Sequence, residues 1–125
     1  MILQTHITLV AGETSGDHLA AAMLQGLHVH TPELNVYATG LGGPAMQAQG
    51  MLLTNHIDEL AVRGYVEVLR HLPRLLRLRA EIARTTFHAK PDLFLGVDAP
   101  DFNLKLEQQL KSGGVKTAHF ISPSI

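Results

Sequence analysis

The chain has 125 residues, of which 46% are hydrophobic and 17% are charged, a composition that predicts one folded domain and excludes a disordered chain. The formal net charge of −1 gives no overall attraction for nucleic acid, and the lack of cysteine excludes disulfides and thiolate zinc sites. No apolar run approaches the roughly 18 residues that a membrane span requires, so we expect a chain that does not cross a bilayer.

Apolar runs of strand type alternate with helical patterns along the first half of the chain. Ile2–Val10 is predicted as a strand, and it lacks the basic segment and cleavage site of a signal peptide. Asp17–Val29 is predicted as a helix, with Leu19, Met23, Leu24 and Leu27 on one face. The shorter elements that follow are a strand at Asn35–Thr39, a turn at Gly40–Pro44, a helix at Ala45–Gln49 and a weak strand at Met51–Thr54.

The second half continues the alternation. Helical spacing extends over Val66–Phe87, where Pro73 either kinks the helix or begins a second one. LFLGV at Leu93–Val97 is the clearest strand of the sequence because it is short and apolar throughout. The last elements are a helix at Phe102–Lys111, ended by Ser112-Gly113-Gly114, and a strand at Val115–Ile121.

This order of elements predicts an α/β fold, a Rossmann-like doubly wound parallel sheet with helices on both faces. Ligands of such sheets bind at the carboxyl ends of the strands. The loops at residues 11–17, 40–44 and 98–103 are expected to lie at that edge.

The stretch VAGETSGD at residues 10–17 directly follows the first apolar run. Glycine lets a backbone approach a ligand closely, and the N–H groups in the first turn of a helix attract anions. The loop is not GxGxxG and lacks the lysine of a Walker A motif, so neither dinucleotide nor ATP binding follows. A tight turn in which Ser15 or Asp17 caps the helix is the alternative. The candidate substrate-binding residues here are Gly12, Glu13, Thr14, Ser15, Gly16 and Asp17.

Two carboxylates follow the clearest strand, in GVDAPDFN. Asp98 has no helix to cap, and an acid at the end of a central strand suits proton abstraction, although it could also cap the loop. Asp101 is placed to be the N-cap of the next helix, or it lies in the cleft. Asn103 either donates hydrogen bonds nearby or completes the helix turn. The eight histidines lack metal-ligand spacing, so we expect no metal site, and only His119 is retained as a candidate ligand contact.

Five motifs together resemble the lipid-A-disaccharide synthase family in order and spacing, over essentially the whole chain. They are VAGETSGD at 10–17, GLGGPAMQAQG at 40–50, ELAVRGYVEVL at 59–69, KPDLFLGVDAPDFN at 90–103 and HFISPS at 119–124.

The resemblance implies an inverting glycosyltransferase of the GT-B type, which needs no metal or other cofactor. Such an enzyme moves 2,3-diacylglucosamine from UDP onto 2,3-diacylglucosamine 1-phosphate. Asp98 falls on the strand-end acid of the family and becomes the leading candidate for the general base. The motifs that match the family add Gly42, Gly43 and Ser122 to Asp101 and Asn103 as candidate substrate contacts.

Two features depart from the family pattern. Position 63 is arginine where the family usually has an apolar residue. The sequence also ends at SPSI, where the family continues through an aromatic stretch into a second domain that carries most UDP-sugar contacts. We therefore expect residues 1–125 to form the N-terminal, acceptor-side half of a GT-B enzyme, without the UDP-sugar-binding domain.

The segment at residues 66–84 is both basic and apolar, with five arginines among its leucines and valines. Such a helix can lie in the headgroup region of an anionic membrane, or it can pack one face on the sheet and solvate the other. Since both substrates implied by the resemblance carry acyl chains, we favour a membrane or acyl contact. This contact would place the protein in the cytoplasm, peripheral on the inner face of the bacterial inner membrane. The residues expected to make it are Val66, Val68, Leu69, Leu72, Leu75 and Leu76.

Two other functions are consistent with parts of the pattern. The first is a noncatalytic α/β module that binds an anion or a lipid. The second is a flavodoxin-like or response-regulator-like domain, although the first loop lacks the paired acids that Mg²⁺ would need.

Overall fold

The computed structural model describes residues 4–60 and 64–121, with side chains at all of these positions except 64–71. Strands β1 to β5 are Thr5–Ala11, Val36–Gly42, Leu52–His56, Leu93–Val97 and Thr117–Phe120. Helices α1 to α4 are Thr14–His30, Pro44–Ala48, Gly64–Ala89 and Pro100–Ser112. Short 3₁₀ turns lie at Pro32–Leu34 and Ile57–Glu59.

The five strands form one parallel sheet in the order β3-β2-β1-β4-β5. From β1 the chain first builds outward through β2 and β3, then returns to build β4 and β5 on the other side. The order therefore reverses between β1 and β4, whose last residues Ala11 and Val97 are paired. A reversal of this kind opens a crevice at the carboxyl ends of the two strands, where ligands of doubly wound sheets bind.

Helices cover both faces of the sheet, as the alternating pattern predicted. Leu9 and Val10 are consecutive residues of β1, and both are buried because they point to opposite faces. Leu9 joins a core with Ala20 and Leu24 of α1, whereas Val10 joins a second core with residues of α3 and α4. Burial on both faces explains why the central strands read as continuous apolar runs. The Rossmann-like doubly wound fold is confirmed.

Several element bounds differ from the prediction, although Leu93–Val97 matches. Helix α1 begins at Thr14 and not at Asp17, so the glycine-rich loop supplies its first turn. Strand β2 continues to Gly42, where a turn was expected from Gly40, because this segment pairs with the buried end of β1. Helix α3 is a single element that passes through Pro73.

Helix α3 packs on the sheet through its C-terminal half, where Leu78, Ile82, Ala83 and Thr86 are buried. In the part of the chain that the structure describes, no helix combines the length and the apolar character needed to span a bilayer.

Candidate functional site

A cavity of about 560 Å³ lies where the strand order reverses. Its walls come from the loop after β1, the start of α4, the 3₁₀ turn after β3 and one face of α3. The lining residues are Gly12, Glu13, Thr14, Ile57, Asp58, Leu60, Leu72, Leu75, Leu76, Arg79, Ala99, Pro100, Asp101 and Phe102.

The cavity is amphipathic. Its polar groups include Glu13, Asp101 and Arg79. Its apolar lining combines leucines of α3 with residues of other elements, such as Leu60 and Phe102. Leu72 and Leu76 are 43% and 46% exposed, which is high for leucines on a helix that also contributes to the core. Residues predicted separately, as substrate contacts and as acyl contacts, thus line one cavity. A ligand with a polar head and an alkyl chain would match both the polar and the apolar part of this lining.

Gly12 allows the two loops of the cavity to converge. A Cβ atom at this position would lie 2.7 Å from the Cβ of Ala99, closer than real Cβ contacts. Any larger residue would therefore push the loop after β1 away from the start of α4.

Asp17 is buried and does not line the cavity. Its carboxylate accepts hydrogen bonds from the backbone N–H groups of Gly43, Ala45 and Met46, at 3.1, 3.0 and 2.8 Å. The alternative that Ser15 or Asp17 caps its own helix is wrong, because the N-cap of α1 is Glu13 and no side chain caps it. Asp17 instead caps α2 and ties the loop after β2 to α1.

The loop after β2 packs tightly on Asp17. A Cβ atom on Gly43 would lie 2.6 Å from the Oδ2 atom of Asp17, so only glycine fits there. Gly42 and Gly16 are also buried, whereas Ser15 is exposed. None of these three lines the cavity.

Asp98 lies in a distorted turn one residue before the cavity wall. Asp98 and Ala99 both have left-handed backbones, with φ values of 50° and 44°. Such conformations are unfavourable for residues other than glycine and persist where the surrounding structure fixes them. The N–H of Asp98 donates to the carbonyl of Phe120 at 2.8 Å, which ties the turn to β5.

Asn103 fixes the same turn from below. Its side chain is completely buried, and Nδ2 lies 3.1, 3.4 and 3.0 Å from the carbonyl oxygens of Val10, Val97 and Asp98. One amide thus joins the ends of β1 and β4 to the turn that carries Asp98. This confirms the alternative in which Asn103 donates hydrogen bonds nearby.

Asp101 is not the N-cap of α4. That position belongs to Ala99, the helix begins at Pro100, and no side chain caps it. Asp101 is exposed in the first turn of the helix and faces the cavity. The prediction was wrong because α4 begins two residues earlier than the apolar pattern indicated, with proline at its first position.

His119 contacts Glu107, a residue that the sequence analysis did not single out. The Nδ1 atom of His119 and the Oε2 atom of Glu107 are 2.8 Å apart, and both side chains are nearly buried. Burial raises the pKa of Glu107, and the neighbouring His119 partly opposes this shift. The available signal was the four-residue spacing from Asn103, which places Glu107 on the same face of α4.

Some predicted residues lie outside the described part. Ser122 is one, and for Val66, Val68 and Leu69 only the helical backbone is described. Among the described residues, no group of three His, Asp or Glu side chains could hold a metal ion.

The chain is similar to known proteins over nearly its whole length. Residues 7–125 match the family model for lipid-A-disaccharide synthetase. Curated lipid-A-disaccharide synthases from Burkholderia mallei (strain NCTC 10229) and Haemophilus influenzae (strain PittEE) are 50% and 48% identical over 119 residues. These matches cover 95% of the chain but only 30% of each relative, so the chain spans about a third of their length.

Two solved structures share the fold at low sequence identity. The first, described as the glycotransferase of kitacinnamycin, has a TM-score of 0.68 and 16% identity, over 97% of this chain and 31% of that one. The second, a UDP-N-acetylglucosamine 2-epimerase, has a TM-score of 0.58 and 12% identity, over 95% of this chain and 32% of that one.

Proposed function

Since the chain belongs to the lipid-A-disaccharide synthetase family, we propose that it forms the N-terminal, acceptor-side domain of an enzyme with that activity. The acceptor 6-hydroxyl of 2,3-diacylglucosamine 1-phosphate attacks the anomeric carbon of UDP-2,3-diacylglucosamine. The new C–O bond forms with inversion as the bond to UDP breaks, and a base takes the hydroxyl proton. We place most of the UDP-sugar contacts in the part of the relatives that this chain does not span.

The amphipathic cavity is the observation that carries this proposal. It lies at the carboxyl ends of β1 and β4, and its lining combines acidic and hydroxyl side chains of the loops with leucines of α3. An acylated sugar phosphate likewise combines polar and apolar groups, with hydroxyl groups and a phosphate at one end and alkyl chains at the other. The cavity therefore suits the acceptor, with its acyl chains directed toward Leu72, Leu75 and Leu76.

Asp98 is the proposed general base. It precedes Ala99 of the cavity wall, and Asn103 and Phe120 hold its backbone in place. A base acts within hydrogen-bond reach of its proton, about 2.6–3.2 Å, so a fixed turn beside the acceptor suits the role. Glu13 and Asp101 line the cavity and are the next candidates.

Titration of the 125-residue chain tests the acceptor assignment. We expect binding of 2,3-diacylglucosamine 1-phosphate, weak or absent binding of UDP, and no transfer when both diacylglucosamine substrates are supplied. Turnover by the chain alone at a typical enzyme rate, about 1–10³ per second, would contradict the domain assignment. A noncatalytic anion- or lipid-binding module would bind the acceptor but remain inactive when fused to the remainder of a relative.

We also propose that α3 contacts an anionic membrane surface, which would place the protein on the inner face of the bacterial inner membrane. Leu72 and Leu76 are exposed on this helix, and Arg77 and Arg84 are exposed beside them. An exposed apolar face flanked by cations fits the headgroup region of an anionic bilayer, and the acyl chains of both substrates would reside in that bilayer.

Vesicle sedimentation tests this contact. The chain should bind phosphatidylglycerol vesicles and be released as salt rises, because charges are screened over roughly 8–10 Å at physiological ionic strength. Replacing Leu72 and Leu76 by serine should weaken binding with the circular dichroism unchanged. Leu52→Ser is the matched control, since Leu52 is 67% exposed on the edge strand β3. Equal binding by all variants would exclude this face as the membrane contact.

A further inference from the structure

Packing distinguishes one arginine of α3 from the others whose side chains are described. Arg77 and Arg84 are exposed, and Arg74 donates to the backbone carbonyl of Glu59. Arg79 is half-buried and lines the cavity at the strand-order reversal. Among residues whose side chains are described, it is the one cation in the cavity wall.

The Arg79 guanidinium lies over an aromatic ring and is not paired with an acid of the described residues. Its central carbon is 6.0 Å from the centroid of the Phe102 ring, within the range of a cation–π contact. No carboxylate of a described residue comes within 4 Å of it, although Glu13, Asp58 and Asp101 line the same cavity. An aromatic ring at this distance leaves the N–H groups of the guanidinium for other acceptors.

We propose that Arg79 is the specificity residue for an anionic group on the acceptor, a phosphate monoester attached to an acylated sugar. Arginine suits this group because its planar N–H donors match two phosphate oxygens at once. The three carboxylates of the cavity repel a phosphate, so Arg79 is the group of the described lining whose charge attracts one. The proposal rests on the acceptor site proposed above.

Arg79 would thereby set the orientation of the acceptor. Because Arg79 follows Leu75 and Leu76 by one turn of α3, the phosphate and the acyl chains would contact neighbouring parts of one helix, which fixes how the sugar lies against it. A positively charged contact and an apolar contact together select a phosphorylated, acylated sugar over ligands that lack either feature.

The test compares two soluble short-acyl ligands that differ only in the phosphate. Diacylglucosamine 1-phosphate and diacylglucosamine are titrated by calorimetry into the wild-type chain, Arg79→Gln, Arg79→Lys and the control Lys111→Gln, an exposed cation of α4 outside the cavity lining. Arg79→Gln should weaken binding of the phosphorylated ligand about ten- to a hundredfold, since hydrogen bonds to charged groups contribute about 1.5–3 kcal/mol. The same variant should leave binding of the unphosphorylated ligand within about threefold, and Lys111→Gln should bind both ligands as the wild type does.

Each other outcome has a defined meaning. Arg79→Lys keeps the charge and should recover part of the preference for phosphate, and it also serves if Arg79→Gln does not fold. Equal weakening for both ligands would assign Arg79 to packing against Phe102 and overturn the inference. Wild-type binding without any preference for phosphate would also overturn it while leaving the acceptor site intact. If neither ligand bound to the wild type, the proposed function itself would fail, and the inference with it.

Discussion

The two acidic residues of the glycine-rich loop lie in opposite environments. Glu13 is exposed and lines the cavity, whereas Asp17, one helical turn later, is buried and bound to three backbone N–H groups of the next loop. The loop after β4 repeats this division, with Asp101 exposed in the cavity and Asn103 buried beneath it. In each of the two loops, one polar residue lines the cavity and another holds the loop in place. We call Glu13 and Asp101 the outer set, and Asp17 and Asn103 the inner set.

Asp98 lies between the two sets, and its replacement should have the largest effect. In a fusion of this chain to the remainder of the Burkholderia relative, Asp98→Asn keeps the shape but removes the base. Turnover should fall by about 10²–10⁴ with little change in melting temperature. Asp101→Asn is the matched variant in the same loop and should retain most activity. Loss of activity with Asp101→Asn alone would move the base into the outer set.

Substitutions in the inner set should lower the stability of the fold. Asp17→Ala leaves three N–H groups without their acceptor and should lower the free energy of unfolding by about 3 kcal/mol or more. Asp17→Asn keeps one acceptor oxygen, so it should be milder and remain measurable if the alanine variant is unfolded. Glu13→Ala, in the same loop, should change stability by about 0.5 kcal/mol or less in urea denaturation. If Asp17→Ala and Glu13→Ala lost equal amounts of unfolding free energy, the inner and outer sets would not differ in their contribution to stability.

Asn103 should affect both stability and catalysis. Asn103→Leu preserves volume but removes the donor shared by three carbonyls, and about 2 kcal/mol of unfolding free energy should be lost. Because Asn103 holds the turn of Asp98, the same variant in the fusion should lower kcat more than it raises KM. Gln109→Leu, at an exposed position of the same helix, is the control for both measurements. An unchanged kcat would show that Asn103 supports the fold alone.

The smallest expected effect is a pH dependence from Glu107. Burial raises its pKa above the ordinary value of 4.5, so the folded state holds this proton more tightly than the unfolded state. The unfolding free energy of the wild type, taken relative to Glu107→Gln, should therefore be highest below pH 4.5 and fall as pH rises through the raised pKa. Urea denaturation across this range measures it. A flat difference would mean that burial does not raise the pKa of Glu107 above its ordinary value.

The sequence alone was sufficient to predict the architecture, a parallel sheet with helices on both faces. Continuous apolar runs such as Leu93–Val97 can only be buried on both faces, which requires a parallel sheet with helices on each side. The glycine-rich loop and the acids after β4 could likewise be placed at one edge, because the carboxyl ends of parallel strands lie together. The five motifs that resemble the family were also present in the residues alone.

Only the tertiary structure decided which polar side chains face the cavity. Each residue of a helix turns about 100°, so the start of α1 at Thr14 and of α4 at Pro100 determines where Asp17, Asp101 and Asn103 point. Composition and spacing did not define those starts, since the capping side chains that usually mark them are absent at both helices. Arg79 illustrates the same limit, because the packing of α3 beside Phe102 separates it from Arg74, Arg77 and Arg84, the other arginines of the helix whose side chains are described.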